Sequence, residues 1–349
     1  MKAGVLHARE DLRYEEIKKP TLKAGEVLVK VKYTGICGSD VPRVLGDAAH
    51  FFPIVLGHEF SGTIAEVSQG VTRVKVGQRV AGVPLVPCMA CDDCLKGNYA
   101  LCKHYGFVGT RQFGSFAEYV AVPERNVVPF EETVSFEQGA LFEPATVAIH
   151  GLERLPYQGG KTVAILGGGA IGLFVMQWAN IFGAAKTIVF DIADDRLALA
   201  KKIGATEGVN TLQEGFMDKA MALTDGKGFD YVYETAGATA TMKMAFKLAA
   251  NKAGVCFIGK PTRELTFTVD EWESMNRKEF TMTGSWLSHS APFPGHEWEC
   301  VAHYFATGQL KYIDELVFKK MPLSKIAEAF ELFKTPGAVK GKILIDSEG

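Results

Sequence analysis

The sequence predicts an α/β protein that combines a β-barrel-like domain with a doubly wound parallel sheet. Two patterns indicate this fold class. Roughly the first 150 residues read as short strands punctuated by glycine and proline, whereas after about residue 160 buried apolar strands alternate with amphipathic helices. The length of 349 residues also favours two domains over one.

The first part of the chain carries segments with the partial alternation expected of half-buried strands. The clearest are residues 27–33 and 62–67. Glycine or proline interrupts the chain at regular intervals, for example at Pro20, Gly25 and Gly57. These features are typical of a barrel whose long loops carry functional residues.

The middle of the chain alternates strands with helices, as in a doubly wound sheet. The predicted elements are a strand at 162–166, a helix at 171–182, a strand at 187–191, a helix at 194–203, and strands at 229–234 and 255–258 with a helix between them. Continuous apolar runs are typical of parallel strands that are buried on both faces. The last 60 or so residues lose this alternation, and only a helix at 324–334 and a strand at 341–345 are predicted there.

Composition and charge exclude several classes of function. The chain is 47% hydrophobic and 22% charged, as is usual for a globular enzyme. Its net charge of −2 provides no basic field for nucleic acid and no polybasic run for an anionic membrane surface. The sequence contains neither an apolar run of membrane-spanning length nor a signal-peptide core. We therefore expect a cytoplasmic protein.

A glycine-rich segment at 167–172 fits G-x-G-x-x-G directly after a predicted strand and at the start of a helix. Gly167 permits the tight turn, Gly169 lets the backbone approach a pyrophosphate, and Gly172 allows close packing of helix and strand. The N–H groups at the start of the helix favour phosphate binding. Asp191 closes the next strand, where a carboxylate binds ribose hydroxyls and repels a 2′-phosphate. This arrangement favours NAD over NADP.

Two further residues join the candidate cofactor contacts. Ile171 lies within the glycine motif, and Arg196 is placed to approach the adenosine. A solvated helix position is an equally good interpretation of Arg196. For the motif as a whole, the alternative is a glycine-rich turn without a ligand, which the surrounding strand, helix and acidic residue argue against.

Four of the seven cysteines fall within fifteen residues and form the pattern C-x2-C-x2-C-x7-C, with Cys88, Cys91, Cys94 and Cys102. In a reducing compartment, clustered cysteines are better explained as metal ligands than as disulfides. Four thiolates fill the tetrahedral coordination of zinc and leave no open position, so the predicted site is structural. An iron–sulfur cluster is the alternative, although the last spacing departs from the ferredoxin pattern.

A second, dispersed set of residues offers donors that suit a zinc ion with an open position. Cys37, His58, Glu59 and Glu143 supply thiolate, imidazole and carboxylate groups. Each residue taken alone also has an ordinary explanation, as a buried thiol, a buried imidazole or a surface carboxylate. Spacing alone does not bring these three segments together.

The sequence resembles the zinc-containing medium-chain dehydrogenases over essentially its whole length, and within them the sorbitol dehydrogenase-like polyol branch. The general resemblance is carried by residues 35–40, 56–62, the four clustered cysteines, 143–144 and 167–172. The narrower resemblance to the polyol branch is carried by residues 49–54, 284–286 and 292–299.

This resemblance implies a GroES-like catalytic domain formed by residues 1–148 and 287–349 and a Rossmann NAD-binding domain formed by residues 149–286. It also implies two zinc ions per chain, one structural and one catalytic. Cys37, His58 and Glu143 would bind the catalytic zinc, and Glu59 would alternate between binding the metal and lying beside it.

Two residues next to Cys37 acquire roles from the same resemblance. Ser39 would relay the substrate proton, and Asp40 would orient the imidazole of His58. Classical members of the family place a histidine five positions after the first zinc cysteine, where this chain has Pro42. The exit route of the proton therefore stays open, with His50 as a substitute.

The implied activity is hydride transfer between a polyol phosphate and NAD, converting galactitol 1-phosphate to tagatose 6-phosphate. An unphosphorylated polyol or L-threonine is the alternative substrate, and a non-catalytic NAD-binding protein is the alternative of another class. A phosphate group would need cationic contacts, for which the candidates by charge type are Arg43, Arg111, His289 and Lys340. The resemblance also implies a homodimer or homotetramer, joined at a sheet edge near 280–285.

Overall fold

The computed structural model describes residues 1–261, 263–311, 316–335 and 337–349. These residues divide into two compact units, of which the first comprises 1–143 with 289–349 and the second comprises 144–288. The predicted α/β class is confirmed, with a mainly antiparallel first unit and a parallel sheet in the second. The exact borders predicted for the catalytic and cofactor domains stay a prediction.

The first unit begins with short strands joined by turns and loops. In chain order its elements up to residue 140 are β1 (Lys2–Ala8), β2 (Asp11–Glu16), β3 (Glu26–Gly35), α1 (Val41–Val44), β4 (Ile54–Val55), β5 (Glu59–Val67), β6 (Arg79–Gly82), β7 (Leu85–Val86), α2 (Asp92–Leu95), β8 (Gly106–Phe107), β9 (Tyr119–Pro123), β10 (Val127–Pro129) and α3 (Phe136–Ala140). The strands predicted at 27–33 and 62–67 lie within β3 and β5.

The second unit is a six-stranded parallel sheet with helices between its strands. Its elements are α4 (Phe142–Glu153), β11 (Thr162–Leu166), α5 (Ala170–Ile181), β12 (Lys186–Asp191), α6 (Asp194–Lys202), β13 (Glu207–Asn210), α7 (Phe216–Ala222), β14 (Phe229–Glu234), α8 (Thr239–Leu248), β15 (Ala249–Phe257), α9 (Val269–Lys278) and β16 (Thr281–Gly284). The first two residues of α4 belong to the first unit. The strand order β13-β12-β11-β14-β15-β16 is that of a Rossmann fold.

The end of the chain returns to the first unit. Its elements are α10 (His296–Ala306), β17 (Val317–Pro322), α11 (Ile326–Glu331) and β18 (Lys342–Asp346). Strand β18 pairs antiparallel with β3, and β17 pairs parallel with β18. The tail, which the sequence pattern leaves unassigned, thus extends the sheet from which the candidate metal ligands project.

Three sheets organise the first unit. The largest has the order β10-β6-β5-β3-β18-β17, with β9 also paired to β3, and the smaller ones are β2-β1-β4 and β7-β8. A valine-rich core packs on the large sheet, contributed in part by Val29, Val31 and Val80. Such β-branched side chains suit a pleated and buried surface. The rigid strands then hold the loops that carry the site.

Two predicted elements need correction, and a third element, β13, was not predicted. The helix predicted at 324–334 is shorter, because α11 is flanked by single 3₁₀ turns at Leu323–Lys325 and Leu332–Lys334. The strand predicted at 255–258 begins six residues earlier, since the exposed Asn251 and Lys252 in β15 resemble a turn. The short edge strand β13 buries only Val209 and gives no periodic signal.

Among the described residues, no helix has both the length and the apolar character needed to traverse a bilayer.

Candidate metal centre and dinucleotide site

Three of the predicted catalytic-zinc residues meet in the first unit. Ligand atoms of Cys37, His58 and Glu59 all lie within 4.8 Å of one another. Cys37 follows the end of β3, and His58 and Glu59 stand at the start of β5. Because β3 and β5 pair with Gly35 opposite Glu59, the register of the sheet brings these distant segments together.

Asp40 lies beside the imidazole of His58, as the resemblance implies. The Oδ1 atom of Asp40 is 3.5 Å from Nδ1 of His58, and both side chains are buried. Burial disfavours a charged imidazole, but the Asp40 carboxylate and Cys37 outweigh it and raise the pKa of His58 well above its usual range. Asp40 also accepts a 3.1 Å hydrogen bond from the Cys37 amide, so one carboxylate contacts both candidate ligands.

Ser39 is the exposed member of this group. Its hydroxyl donates to the sulfur of Cys37 at 3.3 Å, and its amide lies 3.4 Å from the same sulfur. Two hydrogen-bond donors of Ser39 therefore contact the sulfur of Cys37. The Ser39 hydroxyl is therefore adjacent to the candidate metal position and also reachable from solvent.

Glu143 is buried near this cluster but is not one of its three members. Burial, followed by the negative charge of Glu59, raises the pKa of Glu143 to about 7. Its carboxyl therefore lies close enough to Glu59 and His58 to be influenced by their charges. The structure places Glu143 at the edge of the centre, and its role as a ligand stays a prediction.

Lys342, on β18, is a member of the centre that sequence reasoning missed. Its ammonium group donates to both carboxylate oxygens of Glu59 and lies 3.4 Å from the Ile36 carbonyl oxygen. Both Lys342 and Glu59 are buried. Burial disfavours the charged amine, but the neighbouring charges of Glu59 and Cys37 raise the pKa of Lys342 overall. The Lys342 ammonium therefore binds the Glu59 carboxylate through this ion pair.

The four clustered cysteines converge as their spacing predicts. The sulfur atoms of Cys88, Cys91, Cys94 and Cys102 all lie within 4.8 Å of one another. Backbone N–H groups of Ala90 and Cys91 lower the pKa of Cys88 to about 6, whereas burial raises the pKa of Cys94 to about 12. A divalent cation stabilises all four sulfurs as thiolates and relieves their mutual repulsion, so this donor set fits zinc.

Replacing Cys94 with alanine is expected to remove one zinc per chain and to open the segment from 88 to 102 to proteolysis. This lobe has little core of its own, since Leu95 and Leu101 are exposed, and a metal has to supply its stability. Zinc content and limited proteolysis measure the two effects. Cys300→Ala, which lies outside both clusters, is the matched control and should change neither. Unchanged zinc content in Cys94→Ala would contradict the assignment.

The glycine motif lies between β11 and α5 in the second unit. Gly167 has φ of +109°, a conformation that favours glycine. A Cβ atom on Gly172 would collide with the carbonyl oxygen of Gly167, so a side chain there would displace the turn. Gly169, at the start of α5, faces open space, because a Cβ atom added there would meet nothing beyond its chain neighbours within 4 Å. This open cradle at a helix N-terminus fits a dinucleotide phosphate.

Asp191 ends β12 beside the glycine motif. Its Oδ2 atom accepts a 2.7 Å hydrogen bond from the Gly168 amide and lies 3.6 Å from a guanidinium nitrogen of Arg196. Its Oδ1 atom accepts a 3.0 Å bond from the Ala193 amide. The structure thus places Asp191 and Arg196 beside the glycine loop. The hydrogen bond from the Gly168 amide to Asp191 holds the loop in place, and the sequence does not reveal this contact. Ile171 lies within the motif, partly exposed at the start of α5.

Two family models match the chain. The model described as alcohol dehydrogenase GroES-like domain matches residues 23–132, and that described as zinc-binding dehydrogenase matches residues 170–306. Galactitol 1-phosphate 5-dehydrogenase of Escherichia coli K12 is 36% identical over 99% of each chain. The chain belongs to the zinc-binding dehydrogenase family. It is an oxidoreductase with a small-molecule substrate.

Other zinc-binding dehydrogenases with similar sequences or structures point the same way. D-arabitol-phosphate dehydrogenase of Enterococcus avium is 34% identical and covers 97% of this chain and 94% of its own. The crystal structure of the E. coli galactitol-1-phosphate dehydrogenase superposes with a TM-score of 0.94 at 36% identity, covering 99% of this chain and 100% of that one.

Two solved structures of the same family contain nicotinamide nucleotides. A zinc-binding dehydrogenase of Sinorhizobium meliloti 1021 bound to NADP has a TM-score of 0.89 and 28% identity, with 99% and 98% of the two chains covered. An alcohol dehydrogenase of E. coli CFT073 complexed with NADH has a TM-score of 0.89 and 30% identity, with 99% of both chains covered. Proteins with similar structures therefore bind either NADP or NADH.

In this zinc-binding dehydrogenase, Asp191→Asn is expected to lower the preference for NAD over NADP about 10- to 100-fold, because a charged acceptor for the ribose and a repulsive charge are lost together. The ratio of kcat/KM values for the two cofactors measures the effect. Asp218→Asn, an exposed carboxylate on α7, is the control. An unchanged ratio in Asp191→Asn would show that another group distinguishes the ribose 2′-hydroxyl of NAD from the 2′-phosphate of NADP.

Proposed function

We propose that this zinc-binding dehydrogenase oxidises a polyol phosphate, galactitol 1-phosphate, to tagatose 6-phosphate with NAD as the hydride acceptor. The observation that carries the proposal is the cluster of the partly buried Cys37 with the buried His58 and Glu59, whose ligand atoms lie within 4.8 Å of one another. The relatives named for galactitol 1-phosphate and D-arabitol phosphate support a phosphorylated polyol as substrate.

The cluster fits a catalytic zinc by its donor chemistry. Cys37 and His58 would hold the metal, with Glu143 nearby as a further ligand and Glu59 retained by Lys342. Zinc in such a site acts as a Lewis acid that makes a substrate hydroxyl easier to deprotonate. Because Nδ1 of His58 faces Asp40, the other ring nitrogen, Nε2, is the one that remains for the metal.

Ser39 is placed to carry the substrate proton. Its exposed hydroxyl lies 3.3 Å from the sulfur of Cys37, so it adjoins both the candidate metal position and solvent. Oxidation breaks the O–H bond of the substrate, whose proton passes to Ser39 and then to solvent, and breaks the adjacent C–H bond, whose hydride passes to C4 of the nicotinamide. Pro42 has no group to extend this relay.

The glycine loop and Asp191 support NAD as the cofactor. The open cradle at Gly169 suits the pyrophosphate, and the Asp191 carboxylate suits ribose hydroxyls rather than a 2′-phosphate. Arg196, paired with Asp191, contributes to the adenosine side of the site. The nicotinamide performs the redox chemistry, while these residues bind and orient the nucleotide.

A comparison of substrates tests the proposal. NADH formation is measured with galactitol 1-phosphate, galactitol, sorbitol and L-threonine under identical conditions. The proposal expects the highest kcat/KM for galactitol 1-phosphate. Higher kcat/KM for an unphosphorylated polyol or for L-threonine would overturn the substrate assignment, and it would leave the dehydrogenase assignment intact.

A homodimer or homotetramer and a cytoplasmic location complete the proposal. Strand β16 is the edge of its six-stranded sheet, and its exposed Met282 offers an apolar surface for a second copy. Light scattering should show a dimer or larger assembly that Met282→Lys weakens, and a monomeric wild type would contradict this. The reducing cytoplasm would keep the cysteine clusters available for metal.

A further inference from the structure

We infer that Arg43 and Arg111 form a subsite that binds the phosphate monoester group of the substrate. This inference rests on the proposed function and deepens it, because it assigns recognition of the phosphate to particular side chains. Both residues belong to the first unit, Arg43 on the short helix α1 and Arg111 in the turn that follows β8.

Arg43 is held directly beside the proton-relay candidate. It lies on α1, four residues after Ser39, and its guanidinium donates to the Ser39 carbonyl oxygen. The same group is 3.8 Å from Oδ1 of Asp40, and the side chain is only 19% exposed. Its Nε atom is buried and has no hydrogen-bond partner within the described ranges. Arg43 therefore presents a positive charge with unused donors next to the reaction site.

Arg111 is fixed close to His58 from a different loop. Its amide donates to the Phe107 carbonyl oxygen at 2.9 Å, and the Phe107 ring contacts the His58 ring with centroids 5.6 Å apart. Gly109, in the same turn, packs so tightly on Gly57 that a side chain would not fit. The backbone that carries Arg111 is thus anchored against the segment that leads into His58.

The guanidinium of Arg111 is exposed and available for an anion. It lies over the Tyr105 ring, 4.5 Å from its centroid, and donates to the Tyr105 hydroxyl at 3.4 Å. No carboxylate of the described residues forms an ion pair with Arg111. Stacking on an aromatic ring orients a guanidinium and leaves its edge free to bind phosphate oxygens.

Both arginines are anchored beside His58. Asp40 lies 3.8 Å from Arg43 and 3.5 Å from His58, and the turn that carries Arg111 packs against the segment that leads into His58. In agreement with this placement, partial desolvation, then the positive charge of Arg111 and then that of Arg43, lower the pKa of His50. Arg43 lies beside the Asp40 carboxylate, whereas Arg111 forms no ion pair with a carboxylate of the described residues. The remaining positive charge suits a phosphate dianion, whose charge-assisted hydrogen bonds are among the strong ones.

The diphosphate of the cofactor offers similar chemistry but is the poorer fit. The glycine loop at 167–172 in the second unit already provides a cradle for a diphosphate. Arg43, by contrast, contacts Ser39, which the proposed function places at the reacting hydroxyl. Among the other candidates by charge, His289 is buried in a stack with Phe293 and Trp298 and does not present its ring to solvent.

The test compares Arg43→Gln and Arg111→Gln with the control Arg73→Gln, an exposed arginine without an ion pair in the described structure. The first measured quantity is the ratio of kcat/KM for galactitol 1-phosphate to that for galactitol, because a ratio cancels any effect of Arg43 on Ser39. Each of the two variants should lower this ratio about 10- to 100-fold, the usual consequence of losing a charged hydrogen bond. Arg73→Gln should leave it unchanged.

Two binding measurements separate the possible sources of the anion. Inorganic phosphate binding, measured by calorimetry on the whole protein without substrate, should weaken in both arginine variants by a similar factor. The Kd of NADH, measured by fluorescence, should stay within about twofold, because no diphosphate contact is lost. Weakening of NADH binding equal to the loss in the substrate ratio would overturn the inference and assign the arginines to the cofactor.

The outcomes distinguish this inference from the proposed function. If the wild type prefers galactitol 1-phosphate and both arginine variants keep that preference, the subsite is wrong and the proposed function stands. If the wild type prefers an unphosphorylated substrate, the proposed function fails, and loss of inorganic phosphate binding in Arg43→Gln and Arg111→Gln would still support the anion site. Unaltered phosphate binding in both variants would overturn it.

Discussion

Replacing Cys37 with alanine is expected to lower kcat/KM with the preferred polyol about a thousandfold or more, because a catalytic metal contributes several kcal/mol of transition-state stabilisation. Cys37 supplies the thiolate of the cluster, and its sulfur is also the group to which Ser39 donates. The substitution removes a ligand and also disturbs the proton relay. Steady-state NADH formation measures the loss.

The zinc content of the same preparations separates a catalytic effect from misfolding. Cys37→Ala should lose one zinc per chain and keep the zinc of the four-cysteine lobe, with an unchanged circular dichroism spectrum. Cys300→Ala is again the matched control, since its thiol lies outside both clusters. If Cys37→Ala kept more than about a tenth of wild-type activity, a loss far smaller than a metal ligand should cause, the assignment of this cluster as the catalytic centre would be wrong.

Replacing Lys342 with methionine is expected to lower the free energy of unfolding by about 3–5 kcal/mol, the usual cost of removing one partner from a buried ion pair. The ammonium of Lys342 contacts both oxygens of Glu59, and both residues are buried. The variant leaves the Glu59 carboxylate buried next to the raised-pKa carboxyl of Glu143 without its cation. Denaturant unfolding measures the loss.

Two further variants make this second prediction specific. Lys342→Met with Glu59→Gln should recover much of the lost stability, because the uncompensated charge is then absent. Lys334→Met removes exposed ion pairs with Glu10 and Glu331 and should have far less effect, since solvent and salt screen those pairs. Equal losses in Lys342→Met and Lys334→Met would show that the buried pair contributes little.

The parts of the protein that could be predicted from sequence are those whose determinants lie close together in the chain. The four-cysteine lobe places its ligands within fifteen residues, and the structure brings their sulfurs together. The glycine motif is similarly local, since Gly167 and Gly172 lie in one turn and the following helix. Local geometry suffices for both.

Features that depend on strand register could not be predicted from residue patterns. The ion pair between Lys342 and Glu59 joins residues 283 positions apart, and it exists because β18 lies beside β3, which in turn pairs with β5. No periodic pattern in the C-terminal residues indicates that β18 lies beside β3. The predicted cluster of Cys37 and His58 needed the family resemblance for the same reason.

The positions of the side chains distinguish residues that could not be told apart by charge alone. Arg43, Arg111, His289 and Lys340 are interchangeable as candidate phosphate contacts in the sequence. In the structure, His289 is buried against aromatic rings, whereas Arg43 and the turn that carries Arg111 both lie near His58. The hydrogen bond from the Gly168 amide to Asp191 could not be predicted from the sequence either, because it depends on the shape of the loop.

The most direct test of a zinc-dependent polyol phosphate dehydrogenase is NADH formation from galactitol 1-phosphate and NAD by protein stripped of metal and then reloaded with zinc. We expect no measurable turnover in the stripped protein and recovery of activity as zinc occupies the site at Cys37 and His58. Undiminished turnover by protein shown to lack zinc would contradict it.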